Sequence, residues 1–413
     1  MIEFEKKKLA NGLTVIVHED HSTPLVALNI LYKVGARNET EDKTGFAHLF
    51  EHLMFGGSVN IPDYDKPLQM AGGENNAFTN NDFTNYYLTI PSQNVETGFW
   101  LESDRMLSLA FTEKSLEVQR NVVVEEFKQR YLNQPYGDVW LLMRPLVYKV
   151  HPYKWATIGK ELSHIENATL DDVKAFFKKH YHPSNAILSV TGNISVSKAM
   201  ELAEKWFGPI PSVPSQLPVF PVEPLQMEAR ELHVEKNVPA GTIYKAWHCC
   251  SRSDEEFYAT DLLSDVLSRG KSSRLYISLV KEKKIYTEIG AFMMGDLDKS
   301  MFVVEGRFSN GIDPKTAEME LNEELEKIKN SPVNEEELQK VKNKTESSLV
   351  FGEMNIANKA LNLAYFEMLG NASLCNEQAS LYNKVNAAEI MQIAKKILLP
   401  SNCSTLYYLA KKN

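Results

Sequence analysis

The chain has few cysteines, no long apolar run and no excess of positive charge, and each absence excludes a class of protein. Four cysteines in 413 residues form neither a disulfide framework nor a zinc ribbon, so we expect reduced thiols. No apolar segment approaches the roughly 18 residues of a membrane span, and the start lacks a signal peptide. We therefore expect a cytoplasmic protein, or a periplasmic one if an export signal has been removed. A net charge of −9 offers no basic surface for nucleic acid, which leaves peptides or proteins as the expected partners.

The composition and the prolines predict two globular domains. Hydrophobic residues make up 43% of the chain and charged residues 24%, as in ordinary globular proteins. A length of 413 residues exceeds what one hydrophobic core usually holds. The stretch "GPIPSVPSQLPVFPVEPLQ" is too rich in proline for a helix or a central strand. We predict an N-terminal domain at residues 1–207, an extended linker at 208–228 and a C-terminal domain at 229–413.

The two halves share an order of predicted elements, although no residue-level repeat is visible. The first half is predicted to contain a hairpin at Asn11-Gly12, a strand, a helix over 45–55, two strands that turn at Asn80-Asn81-Asp82, helices at 94–109, 112–132 and 169–180, a strand and a last helix. The second half is predicted to contain a strand at about 229–248, a helix at 257–268, strands at 286–293 and 301–308, helices at 314–330, 334–355 and 386–398, and a last strand. This order predicts an α+β fold made of a duplicated unit.

The stretch "GFAHLFEHLMFGG" carries the strongest chemical signal. His48 and His52 are four residues apart, so on a helix both imidazoles share one face and can bind one ion, with Glu51 beside them. Zinc suits imidazole, and a catalytic zinc takes three protein ligands and a water. Glu51 could remove a proton from that water and pass it to a leaving amine. The alternative is two histidines that only pack, but in so apolar a helix they would be costly without a partner. We predict one zinc ion per chain.

His48-Leu49-Phe50-Glu51-His52 matches the inverted zinc motif HxxEH. Around it the chain resembles the pitrilysin (insulinase-type) metallopeptidases of family M16, in the short form similar to mitochondrial processing peptidase subunits. The resemblance is carried by "LANGLTVIV", "HLFEHLMFGG", "NAFTNNDFTNYY" and "QRNVVVEEF", with looser matches further along. It implies two homologous domains that form a clamshell around a chamber, and a zinc endopeptidase that cleaves peptides or unfolded segments there.

The resemblance also implies a third zinc ligand, a glutamate in the predicted helix at 112–132. The family's ligand is usually the second of a glutamate pair, which indicates Glu126 and leaves Glu125 as the alternative. The family often has a further glutamate two turns earlier that supports the site. This chain has Gln119 there, whose amide can still bond to a ligand.

Substrate binding is implied for the stretch that follows the zinc helix. Asn76, Ala77 and Phe78 resemble the family's edge strand, whose backbone pairs with an extended peptide; the alternative is an ordinary hairpin. Three other histidines, His151, His180 and His182, are expected in loop or packing roles.

A feature of complete family members is missing. They carry an arginine and a tyrosine seven residues apart in the half without metal, where the pair binds substrate and stabilises the oxyanion. Aligning "SSRLYISLVKEKKIYTEIG" places Val280 and Thr287 there, and a one-residue slip places Leu279 and Tyr286. We therefore expect a heterodimer with a homologous chain that supplies the pair. A homodimer with another residue in that role stays open, as do a non-catalytic assembly subunit and a zinc hydrolase with another substrate.

Overall fold

The computed structural model describes residues 1–214 and 218–411. Packing divides them into two compact units. The first unit comprises Met1–Lys128, Trp155–Phe220 and Val350–Glu377, and the second takes the remaining described residues. Each unit is a sheet with helices packed on it, which confirms the predicted α+β class.

The first unit contains a six-stranded sheet in the order β1-β2-β6-β3-β5-β4. Its β2 and β6 run parallel, and all its other neighbours run antiparallel. The strands are β1 (Glu5–Lys8), β2 (Thr14–Glu19), β3 (Leu25–Tyr32), β4 (Glu74–Thr79), β5 (Thr84–Pro91) and β6 (Ala186–Gly192).

The second unit contains a five-stranded sheet in the order β7-β11-β8-β10-β9. Its strands are β7 (Arg230–Lys236), β8 (Thr242–His248), β9 (Tyr286–Met293), β10 (Met301–Phe308) and β11 (Cys403–Ala410). Apart from β1, the two sheets have the same topology: in each, the first and last strands in sequence pair in parallel and the third forms an edge. The duplication expected from the order of elements is confirmed.

Helices cover both sheets. Those of the first half of the chain are α1 (Phe46–Leu53), α2 (Asp65–Met70), α3 (Val95–Leu107), α4 (Glu113–Phe127), α5 (Val139–Val147), α6 (Leu162–Glu166), α7 (Leu170–His180) and α8 (Val196–Phe207). Those of the second half are α9 (Phe257–Ser268), α10 (Pro314–Asn330), α11 (Glu335–Gly352), α12 (Ile356–Met368), α13 (Gln378–Lys384) and α14 (Ala387–Ile397). Over the described residues, no helix combines the length and the apolar character needed to cross a membrane.

Both hairpins predicted in the first half are present. In the turn between β1 and β2, Gly12 adopts a φ of 95°, which favours glycine, and its N–H donates to the carbonyl of Leu9. Between β4 and β5, the side-chain oxygen of Asn80 accepts hydrogen bonds from the N–H groups of Asp82 and Phe83. The second hairpin fixes the register of the edge strand β4, which matters for the site.

Two segments belong to a different unit from the residues around them in the sequence. Gln129–Lys154 belongs to the second unit, where α5 packs on β11. Val350–Glu377 belongs to the first, where α12 packs on β3 and β6. The helix α12 was not predicted from the sequence. Its Leu363, Ala364 and Phe366 join a buried cluster on that sheet. The predicted division at 1–207, 208–228 and 229–413 stays a prediction, and the spatial units depart from it by these two segments.

Candidate metal centre

The helix that carries both histidines begins at a buried carboxylate. Glu39 accepts hydrogen bonds from the N–H groups of Gly45 (2.9 Å) and Ala47 (2.8 Å), two donors that the first turn of α1 leaves without a helical partner. Burial raises the pKa of Glu39 to about 8, while these N–H groups oppose the rise. Gly45 has a φ of 87°, and a Cβ there would lie 2.6 Å from the carbonyl oxygen of Ile158. The start of α1 is therefore tightly fixed.

The apolar side of α1 anchors it to the unit. Leu49, Phe50 and Leu53 are buried, and the ring of Phe50 stacks on Tyr181 with centroids 5.0 Å apart. Positions 48 and 52 lie on the remaining face, where both histidines are partly exposed. The two rings meet edge to face with centroids 4.8 Å apart.

A second helix brings in a carboxylate. α4 packs against α1 and buries Leu116, Val123 and Phe127, so Glu126 lies on the side toward α1, with 18% of its side chain exposed. Glu125 faces away: its side chain is 60% exposed and forms an ion pair with Lys128 at 2.7 Å. One residue past Glu126 the helix ends, and a π-helical turn, Lys128–Leu132, follows it. The helix predicted over 112–132 is thus two helical segments.

The three side chains form a triangle of donor atoms. His48 Nε2 and His52 Nε2 are 3.3 Å apart, and Glu126 Oε2 lies 3.4 Å from His52 Nε2 and 3.7 Å from His48 Nε2. Zinc ligands at about 2.0–2.2 Å with tetrahedral angles are separated by roughly 3.3–3.6 Å. Two imidazoles and a carboxylate are also a donor set that catalytic zinc uses. The residues present therefore fit a zinc ion with one position left open.

Glu51 occupies the turn between the two histidines and is partly exposed. Its negative charge affects the pKa of two buried tyrosines of the unit. Burial raises the pKa of Tyr86 and of Tyr181, and the carboxylate of Glu51 raises each pKa by a smaller amount. The structure thus places this carboxylate on the helix of the histidines, next to an apolar and aromatic surrounding.

The edge strand lies beside the zinc helix. β4 packs against α1, and in the described part of the chain it pairs only with β5, so its other edge is open. Asn76 and Ala77 lie on this strand. The ring of Phe78 contacts Phe83 at 5.7 Å between centroids, which indicates packing. The substrate-binding roles of the three stay predictions.

The remaining predicted residues lie outside the triangle. Gln119 is half-buried on α4 and, over the described residues, its side chain forms no hydrogen bond, so its supporting role stays a prediction. His151 contacts Asp298 at 3.2 Å, and His182 Nε2 approaches the carbonyl of Lys179. Burial lowers the pKa of His180 to about 3. Where residues are described, the only group of potential ligands is His48, His52 and Glu126.

Comparison with known proteins identifies the family. The family model described as "Insulinase (Peptidase family M16)" matches residues 14–137, and the one described as "Peptidase M16 inactive domain" matches residues 167–345. The zinc protease PqqE of Helicobacter pylori is 33% identical over 344 residues, which are 82% of this chain and 77% of that protein. The chain belongs to the M16 peptidase family.

Other similarities agree with this assignment. The mitochondrial-processing peptidase subunit beta of Saccharomyces cerevisiae is 26% identical over 235 residues, 56% of this chain and 50% of that one. The crystal structure of a protease from Helicobacter pylori matches with a TM-score of 0.93 and 28% identity, over 99% of this chain and 100% of that one. The M16 resemblance inferred from the sequence is confirmed, and the relatives named as zinc proteases agree with zinc as the metal.

The second unit of this chain has no arginine–tyrosine pair at the positions where the sequence alignment expects one. Val280 packs on the core of this unit, and Thr287 is exposed and donates to the carbonyl of Arg307 at 3.3 Å. Tyr286, the residue of the shifted alignment, is buried and donates its hydroxyl to the carbonyl of Ala317 at 2.8 Å. Nearby Arg274 is held by the carboxylate of Glu337. None of these side chains forms the pair.

We predict that Glu126→Ala and Glu125→Ala differ in zinc binding. Removing Glu126 deletes a ligand, so zinc affinity should fall by more than the ~10–100-fold typical of residues that only support a ligand. Glu125→Ala is the matched control. It removes the same negative charge from the neighbouring position, where the side chain faces solvent. Competition with a chelator measures both affinities. A larger loss for Glu125→Ala would move the ligand to that position.

Proposed function

We propose that this chain is a zinc-dependent endopeptidase. Its substrates would be peptides or unfolded segments, held as a strand added to β4 in the enclosed chamber that the family resemblance implies. The observation that carries the proposal is the triangle of His48, His52 and Glu126, whose separations of 3.3, 3.4 and 3.7 Å suit one zinc ion. We assign these three as ligands and Glu51 as the general base.

When bound there, zinc would supply an acidified water and polarise the scissile carbonyl. The chain's own residues would transfer the protons. Glu51, on the same helix as both imidazoles, would take a proton from the attacking water and deliver it to the leaving amine.

The open edge of β4 would bind the substrate backbone. The main-chain N–H and C=O groups along that edge can form hydrogen bonds with an extended peptide, so most sequences could be held there. Because β4 packs against α1, a strand paired with Asn76 and Ala77 would run close to the ligands. Strand addition favours extended chains, which accounts for a preference for peptides and unfolded segments.

The alternative inferred from the sequence is a non-catalytic assembly subunit. Such a protein has no need for three metal-binding side chains at zinc spacing, or for a carboxylate on the same helix turn. The complete donor set therefore favours the peptidase. A zinc hydrolase with another substrate would leave the open edge strand beside α1 without a role.

We predict that Glu51→Gln separates metal binding from chemistry. The amide cannot act as a base, whereas the ligands stay in place. The variant should keep one zinc per chain and lose peptide cleavage by about 10²–10⁴-fold. His52→Ala should lose both. Zinc content by elemental analysis and cleavage of a quenched peptide library measure the two effects. Parental cleavage rates in Glu51→Gln would rule out the proposed mechanism.

We also propose that the chain works with a homologous M16 chain that supplies the missing arginine and tyrosine. Loss of one oxyanion donor alone costs about 10²–10³ in rate, and the relative from Saccharomyces cerevisiae is itself named as a subunit. A homodimer with another residue in this role is the alternative.

The partner hypothesis predicts weak cleavage by the chain alone. Addition of a homologous chain from the same organism that lacks the zinc motif should raise the rate at least about 10²-fold. The control is the same mixture made with the Glu51→Gln variant, which should stay inactive because the zinc-bearing chain provides the base. Full activity of the lone chain, unchanged by the added chain, would contradict the hypothesis and favour the homodimer.

A further inference from the structure

The second unit begins with an extended segment, residues 221–227, that forms neither a helix nor a strand. We call it the proline ridge. Pro221 and Pro224 are three residues apart, and each proline ring fixes φ at about −65°. The residue before a proline is restricted to extended conformations as well, which applies to Glu223. These restrictions favour a polyproline II helix, which has three residues per turn.

Burial along the proline ridge repeats with the same period of three. Glu223 and Gln226 are buried, with 2% and 6% of their surface exposed. All the other residues of 221–227 are exposed. In a helix with three residues per turn, positions three apart lie along one edge. One edge of the ridge therefore faces the protein, and the other two face solvent.

Hydrogen bonds hold the buried edge in place. The carboxylate of Glu223 accepts hydrogen bonds from the backbone N–H groups of residues 149–151 at 2.8–2.9 Å. The side-chain amide of Gln226 donates to the carbonyl of Cys403 at 2.8 Å. The ridge is thus ordered before any partner binds, which lowers the entropy cost of association.

The two outward edges present proline rings and apolar side chains to solvent. Val222, Leu225 and Met227 have 84%, 75% and 79% of their surface exposed. Pro221 and Pro224 are exposed between them. A segment that only connects two units gains nothing from apolar groups in water. Neighbouring apolar groups that stay exposed mark a surface for interaction with another molecule.

The backbone of the proline ridge is open to a partner on the same edges. The carbonyl of inward-facing Glu223 accepts a hydrogen bond from Lys299 Nζ at 2.9 Å. The outward carbonyls accept none from any residue that the structure describes; they belong to residues 221, 222, 224 and 225. A polyproline II helix has no internal hydrogen bonds, so these acceptors can bind donors of another protein.

We infer that the proline ridge docks in a groove lined by aromatic side chains on a partner protein. Such grooves bind prolines spaced three apart because the helix is already formed and loses little entropy. The exposed carboxylate of Glu228, just after the ridge, favours a groove with a basic residue at that end. The inference is independent of the proposed peptidase activity, because the candidate metal ligands all belong to the first unit.

Photo-crosslinking of the full chain identifies the partner. A photoreactive analogue of methionine is placed at Met227 of the ridge or, as the control, at Met319 of α10, which is 61% exposed on the same unit. Irradiation is carried out in cells of the organism that makes the chain, and mass spectrometry identifies the adducts. We expect a protein that is captured from position 227 and not from position 319.

Titration of the purified captured protein against the full chain tests the chemistry of the contact. Pro221→Ala with Pro224→Ala should weaken binding about 10-fold or more, because it removes both rings and frees the backbone. Pro332→Ala, the loss of an exposed proline in another loop of the second unit, should leave the affinity unchanged. Alanine in place of the aromatic residues of the partner's groove should weaken binding as much as the double change.

Thermal unfolding of the double variant at the parental temperature would show that the fold is intact. Capture from position 227 followed by this dependence on proline would support the inference. Three results would overturn it: no adduct specific to position 227, an adduct with a second copy of the chain, or an affinity that survives the double change.

Discussion

The metal centre depends on the contact between α1 and α4. His48 and His52 are brought together by a single helix turn, but the third donor comes from a helix that starts some 60 residues later in the chain. The buried carboxylate of Glu39 fixes where α1 begins, and Phe50 fixes its rotation against Tyr181. With α1 held in this way, the packing of α4 decides which glutamate faces the histidines. A shift of one residue in α4 would exchange Glu126 for Glu125.

The duplication shows how one topology is used in two ways. Both sheets share the order of strands and the parallel pairing of their first and last strands. α9 occupies the place in the second unit that α1 occupies in the first, between the second and third strands of the duplicated order. Yet α9 buries leucines and carries no histidine. The candidate metal ligands therefore lie only on α1 and α4 among the described residues, whereas the fold itself is common to both units.

Much of this could be predicted from the sequence because the signals are local. The spacing of His48 and His52 on a helix, the hairpin at Asn11-Gly12 and the repeated order of elements all depend on neighbours in the chain. The choice of Glu126 came from the family resemblance and stays a prediction; in the structure Glu125 faces solvent and pairs with Lys128.

What the sequence missed depends on contacts between distant segments. The strand predicted over 229–248 is two strands, β7 and β8, because alternation alone does not show where a short turn interrupts a run. The helix α12 was missed, and so was its packing on β3 and β6. Its amphipathic pattern gives no indication of which sheet it covers. The cavity between the β4–β5 hairpin, the start of α12 and the segment before it could not be predicted from the sequence either.

The proposed peptidase activity requires one zinc ion held by His48, His52 and Glu126. The most direct measurement is an anomalous difference map, collected on both sides of the zinc absorption edge, from crystals of the zinc-loaded chain. We expect one strong peak at about 2.0–2.2 Å from His48 Nε2, His52 Nε2 and a carboxylate oxygen of Glu126. Zinc bound elsewhere, or bound by the two histidines with Glu126 turned away, would contradict it.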